Sequence, residues 1–410
     1  MNSALKVLII GYGWSEPQSS AAGLRDWNLI ETFLGVGWEV IFAASSKENQ
    51  FSQAIQARGV QICPVQPNDP GFDTFIAELK PDFVVFCRFM TEEQFGWRVQ
   101  EHSPESVRII DTVDLHFLRR GREKVLKKGT IPELNSEELL REAASIYRSD
   151  CSLILSSFET RLLVEDYKIP ANLLCLSRFH YDPPLDSPPF AERTDFVTIG
   201  NFRHAPNADG VLWLHQKIWP LIRQKLPEAQ LHIYGAYPPK EMMALTHRKS
   251  GFHVLGYIPD QFETFRKYRV NLAALRFGAG IKGKISDGWW TGTPVVTTPI
   301  GAEGMSDDLP WGGYIAIDEA DFAHKAVQLY SDQHRWENAK KNGLDLIRTL
   351  YDRKKNEKQL ILNLLEVKDQ LHQRRASNLV GAMLSHHQHR STRYFSKWIE
   401  EKNKKGQIQP

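Results

Sequence analysis

Cysteine is scarce in this chain. Its 410 residues include only Cys63, Cys87, Cys151 and Cys175, with no CxxC pair among them. Neither a zinc knuckle nor a disulfide framework is therefore expected. Cys87 and Cys151 sit in or beside apolar strands, where a buried thiol is the ordinary state. Long apolar runs are missing as well: no stretch of about 18 such residues occurs, so no membrane-crossing helix is expected. A secretory leader is also absent from the reading, because the N-terminus reaches the short strand-like run Lys6-Val7-Leu8-Ile9-Ile10 at once. Net charge is only +2, which gives no global field to draw the chain to nucleic acid. No acidic metal motif is evident. A cytoplasmic protein is the expectation, without metal and without nucleic acid.

What is present is alternation. At 410 residues, 42% of them hydrophobic, the chain is too long for one ordinary domain. Strands are expected near residues 6–11, 38–43, 60–65, 82–87, 107–111, 151–156 and 173–176, with amphipathic helical segments between them. A second series is expected near 195–200, 230–234, 252–255, 270–275, 294–297 and 314–317. Strands alternating with helices predict parallel, doubly wound sheets, which bind ligands at the carboxyl ends of their strands. Between the two series, Pro183, Pro184, Pro188 and Pro189 mark a linker. The expected divisions are 1–182, a linker at 183–193, 194–350, and a helical region at 351–410.

The stretch Val270–Met305 carries the strongest local signal: strand, the loop Arg276-Phe277-Gly278-Ala279-Gly280, Lys282 and Lys284, a helix from about 284 to 290, then Gly292-Thr293-Pro294. Free backbone N–H groups at a helix start attract anions, and neighbouring lysines suit phosphate. An ordinary βαβ unit with a tight turn would look the same. By contrast, Gly11-Tyr12-Gly13 lacks the third glycine of a dinucleotide turn, since position 16 is Glu16, so NAD is not expected.

Further candidates follow strand ends. Asp114 and His116 stand just past residue 111, where chemistry is usually sited. Arg203 precedes a helix start built on Pro206 and Asn207, within reach of a phosphate. The charged segment 121–138 reads as a solvated loop that would also suit an anionic acceptor. Residues 371–405 hold eight Lys/Arg against Glu400 and Glu401, interleaved with Tyr394, Phe395, Trp398 and Ile399. A helix packing its aromatic side on the protein is expected there, with an anionic membrane surface as the alternative partner. His386, His387 and His389 read as a solvated polar face rather than a metal site.

Taken together, Ile199–Asp209, Leu231–Gly235, Gly256–Asp260, Leu275–Gly304, Gly23–Ile30 and Asp111–Arg119 resemble family 4 glycosyltransferases, in particular the subgroup with an R-x-G-A-G-I-K-G-K donor loop. The resemblance spans most of residues 5–350. It implies a GT-B α/β fold: two Rossmann-like, doubly wound domains facing a cleft, plus C-terminal helices. It also implies a retaining, metal-independent transfer from a nucleotide-sugar to an acceptor hydroxyl in polysaccharide, glycan or glycolipid synthesis. The acceptor would be a glycan, a lipid-linked or a small molecule, and no cofactor is needed beyond the donor. His116, Lys284 and Arg276 are the implied catalytic residues. Arg203, Gly278, Gly280, Lys282, Asp287 and Glu303 would hold the donor, with Gly23 and Asp114 on the acceptor side.

The sequence departs from the family where two glutamates usually stand. The second is Asp287 and the first is Ala279, so the donor sugar would fall to backbone N–H groups of 278–283 or to Glu303. Ala21-Ala22-Gly23 replaces a glycine pair, and Trp289-Trp290 replaces small residues under the site. The other readings are an epimerase of the same fold and a catalytically weak nucleotide-sugar-binding or scaffold protein.

Overall fold

The computed structural model describes residues 4–129, 136–184 and 186–406. The first sheet contains β1 (Lys6–Gly11), β2 (Glu39–Ala44), β3 (Gln61–Pro64), β4 (Phe83–Cys87), β5 (Val107–Asp111), β6 (Cys151–Ile154) and β7 (Leu174–Leu176). Its spatial order is β3-β2-β1-β4-β5-β6-β7, all parallel. The second sheet contains β8 (Thr194–Ile199), β9 (Leu231–Tyr234), β10 (Phe252–Gly256), β11 (Tyr268–Ala273), β12 (Val295–Thr297) and β13 (Gly313–Ile315). Its order is β10-β9-β8-β11-β12-β13, again parallel. Strand order reverses at β1/β4 and at β8/β11, and such switch points open a crevice at the strand ends. All the expected strands form, with ends displaced by two residues or fewer.

The apolar runs read as they do because both faces of each sheet are covered. In β1, Val7 and Ile9 pack with Leu29 and Phe33 on one face, while Leu8 and Ile10 pack with Ile41 and Phe72 on the other. Period-2 alternation thus feeds two separate cores from one continuous run.

One sequence expectation changes here. The charged segment 121–138 is largely helical: the helix His116–Lys128 runs through it and ends at Gly129 in the left-handed conformation. Residues 130–135 lie outside the described residues. The C-terminal helices also return to the first domain: Leu360, Leu364, Val367 and Leu371 of 353–377 enter its core.

The last helix, Leu379–Gly406, lies on the helices Glu137–Arg148 and Phe89–His102. Its aromatic side faces outward, contrary to expectation: Tyr394, Phe395 and Trp398 are 67%, 63% and 59% exposed. The inward side is polar, with buried Ser396 accepting from Arg98 Nη2 at 3.0 Å and Glu400 paired with the same guanidinium. A buried arginine demands such partners, and this fixes the helix's rotation. Three of the tail's arginines are engaged as well: Arg374 with the Asn172 carbonyl, Arg375 with Asp150 and Arg393 with Glu101. The side chains of His387 and His389 lie outside the described residues. Among the described residues no helix is long and apolar enough to cross a membrane.

Arg25 and Asp111, both fully buried, tie the first helix (Ala21–Gly35) to the end of β5 at 3.1 Å. Arg25 also donates to Ser177 Oγ at 2.9 Å. Replacing Arg25 with Met strands the carboxylate and is expected to cost about 3–5 kcal/mol at the first domain's unfolding transition in urea. The double change R25M/D111L should recover most of that loss, and an unchanged midpoint for R25M would contradict the assignment.

Candidate active site

A cleft of about 710 Å³ separates the two sheets. Its walls come from the segments after β1, β4, β5 and β7 on one side and after β8, β9, β10 and β11 on the other. The two switch points therefore open into one space.

On the second-domain side the glycine loop feeds the helix Gly283–Trp290, whose N-terminus carries no side-chain cap. Unpaired N–H groups and the helix dipole favour an anion there. Lys284 lines the cleft beside this terminus and donates to Asn207 Oδ1 at 2.8 Å. Burial lowers its pKa to about 8. Lys282 is likewise buried and lowered to about 8, with Nζ 3.5 Å from the Glu303 carbonyl. Asp287 accepts from Tyr181 Oη at 2.7 Å and from Gln261 Nε2 at 3.1 Å, and burial raises it to about 7. Beneath it, Trp290 packs on Tyr181 and Phe262, while Trp289 donates to the Gly312 carbonyl. The tryptophan pair thus supports the residues that position Asp287. Arg203 lies over the Tyr237 ring at 3.6 Å, on the cleft wall.

On the first-domain side His116 Nε2 stands 3.4 Å from Asp114 Oδ1, and Arg119 grips the other oxygen of Asp114 at 2.6 Å. Burial opposes ionisation of Asp114, but the bond from His116 and the charge of Arg119 outweigh it and hold the carboxyl well below its usual range. His116 Nδ1 is buried with no partner among the described residues. The helix that His116 begins offers no anion site, because Glu142 takes the N–H groups of His116 and Phe117 at 2.9 and 2.7 Å. Gly23 lies under the loop from β1: a Cβ there would meet the Glu16 carbonyl at 2.3 Å. Across the cleft, Ala21 Cβ would stand 3.2 Å from a Cβ at Gly283, so the alanine pair narrows the gap.

The domains touch at the glycine loop. Gly280, at φ +67, has no room for a side chain, since a Cβ would meet Val113 O and Asp114 Cβ at 2.9 Å. Its N–H donates to Glu159 Oε1 at 2.7 Å. Arg122 binds both oxygens of Glu303 at 2.7 and 2.8 Å and the Gly278 carbonyl at 2.9 Å.

Residues 193–332 match the sequence model of the family "Glycosyl transferases group 1". The matched segment is about a third of the chain and takes in all six strands of the second sheet. No curated protein matches the chain. Among solved structures, sucrose-phosphate synthase from Thermosynechococcus elongatus superposes with a TM-score of 0.70 at 14% identity, covering 88% of this chain and 99% of that one. Anabaena HepE in complex with UDP and glucose gives 0.68 at 12% identity, with 88% and 99% covered. The pneumococcal O-GlcNAc transferase GtfA in complex with UDP and GlcNAc gives 0.67 at 12%, with 89% and 99% covered. The fold is GT-B.

Along this cleft, His116, Asp114, Gly23, Arg203, Gly278, Lys282, Lys284 and Asp287 line the wall. Three expected residues do not. Arg276 turns away and holds Asp209 with two bonds of 2.9 and 2.5 Å, over Trp213. The Gly280 N–H is taken by Glu159, so it is not free for a sugar. Glu303 cannot stand in for the missing glutamate while Arg122 holds both its oxygens. The reading from sequence also passed over Asn207, Gln261, Asp26 and Arg88, all on the cleft wall. Arg88, directly after the apolar run of β4, and Asn207, at a helix start past a strand end, carried positional signals that could have flagged them.

Because burial lowers the two lysines to about 8, each is a cation below that pH and loses its charge above it. A nucleoside diphosphate such as UDP is expected to bind more weakly at pH 9 than at pH 7, measured by calorimetry. K284R should flatten this dependence. Equal affinity at both pH values in the unaltered chain would contradict it.

Proposed function

We propose that this nucleotide-sugar glycosyltransferase transfers its sugar to an acceptor hydroxyl with retention of anomeric configuration and without a metal. One arrangement carries the reading: the uncapped start of Gly283–Trp290, with Lys284, opens on the cleft opposite the His116–Asp114 pair. The donor diphosphate would lie at that helix start, where Lys284 and Lys282 compensate the charge that develops as the glycosidic bond breaks. Preorganised donors of this kind supply a large part of a catalytic barrier reduction. Arg203 flanks the phosphates. Asp287 accepts from the ribose hydroxyls, oriented by Tyr181 and Gln261. His116, fixed by Asp114, orients the donor sugar or the acceptor. With the glycine loop pressed on the first domain, water is kept from the reacting carbon. Retention and the absence of a metal come from the family resemblance.

A second reading, a weakly catalytic nucleotide-sugar-binding protein, is favoured by the sugar end of the loop. Ala279 offers no polar side chain there, and Glu303 and the Gly280 N–H are occupied within the protein. The exposed Tyr394, Phe395 and Trp398 fit peripheral contact with an anionic membrane, which sedimentation with anionic vesicles at low salt tests.

Common nucleotide-sugars are expected to raise the melting temperature saturably, and the product's anomeric configuration, read by NMR, should match the donor's. K284A is expected to lower turnover by roughly 100-fold or more, and a chelator should leave the unaltered chain active. Turnover unaffected by K284A would support the binding-protein reading instead.

A further inference from the structure

Arg88 is the first residue after β4 and sits at the first sheet's switch point, on the cleft wall. Its backbone stands at φ 73 and ψ 160, a region that glycine alone occupies readily. The surroundings impose this conformation. Its N–H donates to the Asp111 carbonyl at 2.8 Å, and its own carbonyl accepts from the Thr91 hydroxyl at 2.8 Å. Strain of this kind persists where a side chain must point in a particular direction.

The Arg88 guanidinium makes no hydrogen bond or ion pair with any described residue, and its Nε is buried without a partner. Its neighbours behave otherwise. Arg25 is paired with Asp111, Arg98 with Asp73, Arg119 with Asp114, Arg122 with Glu303 and Arg148 with Glu92. An arginine left unpaired inside a cleft is a site for an anion from outside, since its fork matches phosphate and carboxylate.

Asp26, on the same wall and 9% exposed, feels the Arg88 charge. One of its oxygens accepts from the Cys87 thiol at 3.4 Å, and it makes no other hydrogen bond among the described residues. Burial raises Asp26 to about 7, with the Asp111 charge adding to the shift, so near neutrality it compensates only part of the Arg88 charge. The donor diphosphate is already served from the opposite wall by Lys284, Lys282 and the helix start. An anion at Arg88 is therefore a second anion.

We propose that Arg88 and Asp26 anchor the acceptor, Arg88 binding an anionic group and Asp26 a neighbouring hydroxyl, so that the acceptor is an anionic polyol: a phosphorylated or a carboxylated sugar. The proposal rests on the transferase reading above, because it assigns the donor to the other wall.

The test is direct binding by calorimetry, with and without saturating UDP. The probes are glucose 6-phosphate, glucuronate, glucose and inorganic phosphate. At least one of the two anionic sugars should bind 10-fold or more tightly than glucose, and whichever wins names the group as phosphate or carboxylate. Inorganic phosphate should bind more weakly than the winner, because it lacks the hydroxyl for Asp26. R88Q should remove the preference for the anionic sugar while leaving the UDP Kd within twofold. R88G should lose the same preference with a melting temperature no lower than that of the unaltered chain, since glycine relieves the backbone; this separates lost binding from lost folding. If the anionic sugars bind no better than glucose, or if R88Q weakens UDP as much as the sugar, the proposal is overturned. If UDP fails to bind the unaltered chain, the transferase reading falls, whereas the anion preference is still read without UDP.

Discussion

The contact between Gly280 and the first domain decides the shape of this molecule. Between the sheets a small apolar cluster joins Leu155 and Phe179 of the first domain to Ile281, Ile285 and Met305 of the second, but apolar packing alone does not set one distance between them. Here the loop after β11 lies flat against Val113 and Asp114, and only a residue without Cβ fits. Glu159 reaches from the first domain to take the Gly280 N–H, and it also accepts from Leu115 N at 3.1 Å. A single carboxylate thereby joins the loop that starts the phosphate-facing helix to the segment that carries His116. Burial raises Glu159 to about 7, so its charge, which strengthens both bonds, is present above that pH and lost as pH falls through it.

Other contacts fit around that one. Arg122 reaches the same loop at Gly278 O, and behind the cleft Arg178 pairs with Asp307 at 2.7 Å. At the mouth, Tyr237 donates to Glu16 at 2.9 Å and Asn201 to the Ser19 carbonyl at 3.1 Å. Most of these are polar and partly exposed, and such contacts are individually weak. Polar contacts of this character resist domain movement only weakly.

Charge is distributed unevenly around the cleft. Apart from Arg88, the buried arginines of the first domain pair with carboxylates at hydrogen-bond distance, and that pairing makes their burial tolerable. Lys284, Lys282 and Arg88, which make no ion pair among the described residues, line the cleft together with Asp26, one of whose oxygens makes no hydrogen bond there. The proposed donor and acceptor roles are built on those groups. Arg276 and Glu303 carry the same kinds of charge but satisfy them internally, with Asp209 and Arg122.

Much of the fold was legible in the sequence. Strands buried on both faces must be continuous apolar runs, so β1, β5 and their counterparts could be read with ends nearly in place, and the alternation with helices implied parallel sheets. The positions of Lys284 and His116 at helix starts were legible for the same local reason. Pairing was not legible, because it joins residues far apart in the chain: Arg122 with Glu303, Glu159 with Gly280, Arg98 with Ser396 and Glu400. Those contacts, with the Arg276–Asp209 pair, took Arg276 and Glu303 away from the cleft and turned the tail's aromatic side outward. Sequence by itself determined which segments become strands and where glycine permits a turn, since these follow from nearest-neighbour sterics and side-chain period. Only the tertiary structure decided which charges remain free in the cleft, because that depends on which opposite charges the folded chain brings within reach.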